Sequence, residues 1–119
     1  MSLSRAHFQF LPAIASAALL LGGLVPETSH AVTLYVSNSD NHTIEQVTGG
    51  GVASVFANSG LLSEPWGLAS DSTGNLYVAN PSGNTIDKFT TGGVASVFAN
   101  TGLDGPHNLA FDSAGNLYV

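Results

Sequence analysis

The chain has 119 residues, of which 2 are Lys or Arg, 8 are Asp or Glu and none is Cys, for a net charge of −6 at neutral pH. Charged residues make up 8% of it, against roughly 25% in an average soluble protein. This composition excludes a disulfide framework, a thiolate metal site and a lipid-carrying cysteine, and it offers no basic patch with which to displace counterions from nucleic acid.

Residues 1–31 read as a secretory signal peptide. Arg5 and the amino terminus supply a short positive region, residues 13–25 are apolar apart from Ser16, and residues 26–31 turn polar. Ser29-His30-Ala31 puts small residues at the two positions a signal peptidase needs, so cleavage is expected between Ala31 and Val32. The competing reading is a membrane anchor, but the apolar run is short of the roughly 20 residues a helix needs to span a bilayer. The expected location is therefore extracytoplasmic, secreted or periplasmic, with no membrane contact after cleavage. His7 and His30 leave with the leader. What remains carries Asp40, Glu45, Glu64, Asp71, Asp87, Asp104 and Asp112 against the single base Lys88.

From residue 32 onward the chain repeats itself. Leu34-Tyr35-Val36 returns 42 residues later as Leu76-Tyr77-Val78 and again 41 residues later as Leu117-Tyr118-Val119. Residues 51–58 reappear unchanged as residues 93–100. Within one period, four short strands are expected at residues 66–70, 75–80, 85–90 and 95–99. Side chains alternate across a strand, so Leu76 and Val78 share one face and Tyr77 takes the other. Likewise Ile86 and Lys88 oppose Asp87 and Phe89, and Val97 opposes Phe98. Asp71-Ser72-Thr73-Gly74-Asn75 and its copy Asp112-Ser113-Ala114-Gly115-Asn116 fit a three-residue hairpin with glycine at positive φ and the Asp carboxylate capping the turn. Gly92-Gly93, matching Gly50-Gly51, marks a second hairpin. Four strands joined by hairpins in about 42 residues have the size and layout of a β-propeller blade. No 3.6-residue apolar periodicity supports a helical solenoid. The expected fold class is all-β, built from four-stranded antiparallel blades.

Pro65-x-Gly67-Leu68-Ala69-x-Asp71-x-x-Gly74-Asn75-Leu76-Tyr77-Val78-Ala79-Asn80, followed by Asn84-x-Ile86-x-Lys88-Phe89, resembles the NHL repeat of β-propeller proteins, a group that includes six-bladed and gluconolactonase-like propellers. The resemblance extends over residues 32–119. The family usually has Asp at the places of Asn38 and Asn80 and Arg at those of Thr43 and Thr85. Some NHL proteins bind RNA through a basic surface that this chain lacks. On this reading residues 32–58 are the last three strands of one blade, 65–100 a full blade and 106–119 the first two strands of a third. About two blades are present, so the chain is expected to be a fragment of a longer propeller. Closure of a ring by three copies is the alternative, against which the surplus last strand argues.

Positions where otherwise close copies differ are the candidates for function. After the paired Pro65 and Pro106 come Trp66-Gly67 in one repeat and His107-Asn108 in the next. By resemblance to propellers they lie near the mouth of the central channel. Trp66, His107 and Asn108 are therefore candidate ligand-binding residues: an indole stacks on a ring or sugar, and an imidazole moves a proton or ligates a metal. The bland alternatives are packing between blades for Trp66 and a loop cap for His107. Asp71 and Asp112 are read as turn residues, since each copy contributes one carboxylate and calcium needs several oxygens. His42 and His107 lie in non-equivalent loops and make no metal pair, and Asn41-His42-Thr43 is a glycosylation sequon. No catalytic set, phosphate loop or nucleophile elbow is visible in the sequence. The expected function is an exported binding or scaffold module for a protein or carbohydrate, without a cofactor. The alternative is part of a metal-dependent propeller enzyme, such as a gluconolactonase-like hydrolase or a streptogramin lyase-like protein, with a divalent ion held partly by His107.

Overall fold

The computed structural model describes residues 6–12 and 32–119, and among these every regular element is a strand. The first sheet runs in the order β1 (Ala6–Pro12), β2 (Val32–Asn38), β3 (Thr43–Val47) and β4 (Ala53–Ala57). The second repeats that order with β5 (Leu68–Ser70), β6 (Leu76–Asn80), β7 (Thr85–Phe89) and β8 (Ala95–Ala99). A hairpin of β9 (Ala110–Phe111) and β10 (Leu117–Tyr118) follows, and all pairings are antiparallel. Antiparallel sheets stacked in sequence without helices are consistent with part of a β-propeller.

The strands expected in the second sheet form, three with one boundary moved by one or two residues and that of residues 95–99 unchanged. β1 is a finding of the structure. The sequence reading assigned this segment to a leader; its backbone forms an edge strand of the first sheet beside β2, with Phe8 opposite Val36 and Phe10 opposite Leu34. The cleavage position at Ala31 and the apolar run of residues 13–25 lie outside the described residues.

The second sheet is apolar on both faces, and stacking covers both. Tyr35, Ile44 and Ala57 of the first sheet, with Leu62 of the linker, pack on Leu68, Leu76, Val78 and Phe89 of the second. The opposite face of the second sheet, with Tyr77, Ala79 and Ile86, is covered by Leu103, Leu109, Phe111 and Leu117. The alternation read from sequence is therefore correct for β6 and β7: odd and even positions face different neighbours. Lys88 lies on the Tyr77 face, its ammonium 5.5 Å from the ring centroid, a contact that keeps the charge beside an aromatic face.

A bulge that sequence did not announce occurs in both sheets at the same place. Ile44 pairs with Ala57 and Glu45 with Val55, leaving Phe56 outside the ladder, and Phe98 is skipped in the same way between Ala99 and Val97. An extra residue bends and twists the outer strand. Here it accompanies an aromatic contact: Phe56 meets Tyr35 edge-on at 4.8 Å, and Phe98 meets Tyr77 at 4.9 Å. Phe56 is further covered by Phe89 at 6.5 Å. Phe98 stays 52% exposed.

This difference sets an expected outcome. Phe89→Ala, at a fully buried site between sheets, lowers stability by about 3–5 kcal/mol, whereas Phe98→Ala costs about 1 kcal/mol or less. Denaturant midpoints of the two variants give the comparison.

Candidate functional site

Antiparallel connection sends alternate turns to opposite ends of the sheets. The hairpins around Gly74 and Gly115 gather at one end with those around Gly51 and Gly93. The β2–β3 and β6–β7 turns gather at the other, with the linkers that carry Trp66 and His107.

At the first end, the two Asp turns have the geometry expected from sequence. Gly74 and Gly115 adopt φ of 87° and 88°, the left-handed region that suits glycine. Asp71 accepts hydrogen bonds from the Thr73 and Asn75 amides at 3.0 and 2.9 Å, from the Asn75 side chain at 2.8 Å and from the Tyr77 hydroxyl at 3.2 Å. Asp112 repeats the pattern with Ala114, Asn116 and Tyr118. Burial pushes the Asp71 carboxyl up, but the bonds from Asn75 and Thr73 outweigh it and hold the group well below the usual carboxylate range. Hydrogen bonds from Asn116 lower Asp112 likewise. Both carboxylates are fully used by their own turns, which is what a turn role requires.

At the second end, the structure brings the sequence candidates together. The Trp66 and His107 rings meet edge-on with centroids 4.8 Å apart. They are joined through Gly67, whose amide donates to the His107 carbonyl at 2.8 Å. A Cβ on Gly67 would stand 2.1 Å from that oxygen, so only glycine permits this approach of two backbones. Sequence comparison had noted that Gly67 and Asn108 differ; close packing is the reason for the glycine. Trp66 is half-buried while His107 and Asn108 are exposed. His107 and Asn108 line an open cleft of about 540 Å³ with residues 102–106 and Val119. The Nδ1 of His107 lies 2.6 Å from the Gly105 carbonyl oxygen. A carbonyl only accepts, so Nδ1 is the donor in this contact. Among the described residues no three His, Asp or Glu side chains converge as a metal site.

Sequence reading passed over a buried polar group beside this end. Asn80 is fully buried and donates to Asp87 at 2.7 Å and to Thr85 at 3.1 Å, while its carbonyl accepts from the Ser63 amide at 3.2 Å. Burial pushes the Asp87 carboxyl up, against the hydrogen bonds from Asn80 and Thr85. Its other oxygen, Oδ1, is buried without a partner. Strand alternation assigned Asp87 to the Phe89 face but carried no sign of this cluster.

The sequence of residues 62–85 has a counterpart in a known family. These residues match the NHL repeat. The NHL match takes in the linker with Trp66, strands β5 and β6, and the turn that leads into β7. It ends before His107 and Asn108, which stand at the corresponding place of the next repeat. No curated protein matches the chain.

Two outcomes follow from these contacts. The Asp71 pKa is depressed on folding, so its contribution is complete above the unfolded value of about 3.9 and is lost as pH falls through the lower folded value. Amide protection of Thr73 and Asn75 is expected to hold at pH 5 and to fall at strongly acidic pH, and Asp71→Asn to lower it already at pH 7. Gly67→Ala forces the backbone at His107 away at a cost of about 1–3 kcal/mol, readable as a lowered denaturant midpoint together with altered Trp66 fluorescence.

Proposed function

We propose that the chain is part of an exported NHL-repeat β-propeller that binds a protein or carbohydrate through the end of its sheets where Trp66, His107 and Asn108 lie. The observation that carries this reading is the Trp66–His107 pair: an indole and an imidazole in contact at the seam between successive repeats, with His107 and Asn108 exposed. Half-buried aromatic residues held rigid by packing make good anchors for a partner, because little side-chain freedom remains to be lost. The net charge of −6 argues against polyanionic ligands. Export follows from the leader-like residues 1–31, with cleavage before Val32, and the rest of the ring comes from further blades or from other copies. Leader removal would take β1 with it and free that edge of β2.

A second reading, a metal-dependent propeller enzyme, is favoured by one observation. His107 donates Nδ1–H to a backbone carbonyl, as metal-ligating histidines commonly do through the nitrogen that does not bind the metal. The remaining ligands would then come from outside the described residues.

Selection of binders from peptide-display and glycan libraries against the full chain tests the first reading. The expected result is binders whose affinity falls about 30-fold or more with Trp66→Ala or His107→Ala, and is unchanged by Ser72→Ala at the opposite end. Binders indifferent to Trp66, His107 and Asn108 would overturn the assignment of the surface. A stoichiometric divalent ion lost with His107→Ala would favour the enzyme.

A further inference from the structure

One contact between successive units occurs twice, and with different chemistry. In the β6–β7 turn, Asn84 has φ of 51° and its side-chain oxygen accepts the amide of Gly105 at 2.8 Å. Gly105, with φ of 56°, directly precedes Pro106 in the linker to the next unit. In the β2–β3 turn the residue 42 positions earlier is His42, with φ of 54°. Its Nδ1 accepts the amide of Glu64 at 2.9 Å, and Glu64, with φ of 51°, directly precedes Pro65. Turn residue, linker residue, backbone conformation and following proline all correspond. The imidazole nitrogen does the work of the carboxamide oxygen.

The two acceptors differ in one respect. An amide oxygen accepts at any pH, but Nδ1 accepts only while it carries a lone pair, and both ring nitrogens of a protonated imidazole are donors. Histidine is the side chain whose charge changes between pH 5 and 8. Glu64 also lacks glycine's freedom, and a non-glycine residue at positive φ needs fixing by its surroundings. Here the fixing consists of the His42 contact and a hydrogen bond from the Ser82 hydroxyl to the Glu64 carboxylate.

We propose that His42 is a proton-sensitive latch between the first and second sheets: neutral, it holds the linker through the Glu64 amide, and protonation releases that linker at the same end as Trp66. The charged groups of the surrounding elements are few. The turn itself carries Asp40, the linker carries Glu64, and β3 carries Glu45, which accepts from the Thr43 hydroxyl at 3.4 Å. The β6–β7 turn carries no titratable side chain, and β1 places His7 in register with Ser37. Two other bonds keep the seam closed when the latch opens: Ser37 donates to the Trp66 carbonyl at 2.6 Å and Ser39 to that of Pro65 at 2.8 Å. Release is therefore local to the segment around Glu64 rather than a separation of the sheets.

The test is amide exchange by NMR on the ¹⁵N-labelled full chain at pH 8 and pH 5, with each rate corrected for its intrinsic pH dependence. In the natural protein, protection of the Glu64 amide is expected to fall about fivefold at pH 5, the order of effect of one hydrogen bond, while Gly105 is unchanged. The His42 ring nitrogens at pH 8 should report the Nε2–H tautomer. His42→Asn, which copies the next repeat, should keep the protection and abolish its pH dependence. Asn84→His should transfer pH dependence to Gly105, and it serves as a second test should His42→Asn fail to fold. A Glu64 amide indifferent to pH, an Nδ1–H tautomer at pH 8, or an equal loss at Phe89 and Gly105 would overturn the proposal.

Discussion

The constraint on which everything else depends is that the second sheet is apolar on both faces. Val78 and Phe89 look one way, Ala79 and Ile86 the other, and all four are fully buried. A strand with a solvated face would alternate apolar and polar; β6 is buried at every position. Such a sheet cannot be stable alone, because burial of apolar surface is the main favourable term and half of it would be missing. Stacking of like units is the solution, and it makes the contacts between units as important as the strands. The partly exposed Phe98 shows the same rule from the open side. Its counterpart Phe56 has Phe89 beside it.

Repetition then separates two kinds of position. Those that build a turn or fill a face are the same in each copy: the Asp71 and Asp112 caps, the glycines that follow them, Tyr35 and Tyr77 with their bulged phenylalanines. Those at the linker end change from copy to copy. Ser37 and Ser39 fasten the first seam through carbonyls of Pro65 and Trp66. Their counterparts 42 residues on are Ala79 and Pro81, which have no hydroxyl. At that second seam Gly67 instead lets two backbones meet directly. The two seams thus use different bonds for the same stacking.

Much of the fold was legible because its signals are local. Period-two alternation set Leu76 and Val78 opposite Tyr77, and Asp87 and Phe89 opposite Ile86 and Lys88, and Asp-x-x-Gly-Asn named a turn whose carboxylate bonds and positive φ all occur. What escaped depends on partners distant in sequence or on backbone detail. The skipped Phe56 and Phe98 leave no mark in an alternating pattern. The reason for Gly67 is an oxygen of His107. β1 was illegible for another reason: it has no counterpart at the repeat spacing, and its Gln9, opposite Tyr35 where Ala69 stands opposite Tyr77, buries an amide oxygen without a partner. At the candidate site, the variable residues after Pro65 and Pro106 were found by comparing copies, but their contact was not.

The pairing of His42 with Asn84 shows why aligned repeats must be compared by atom as well as by residue type. In sequence the two residues look unrelated, and the imidazole invites a search for metal or catalysis. In the structure both put one acceptor atom within hydrogen-bond distance of the same kind of amide, at 2.9 and 2.8 Å, at the same left-handed turn position. After glycine, Asn is among the residues that tolerate this conformation most readily, because its short side chain bonds locally. A histidine there needs a separate reason, and packing does not supply one: His42 is exposed. What it adds is an acceptor that a proton can remove, at the seam that also carries the strained Glu64. The other histidine at this end, His107, is fixed in the opposite tautomer by the Gly105 carbonyl. One imidazole, in the β2–β3 turn, thus accepts at Nδ1, and the other, on the linker after β8, donates from Nδ1.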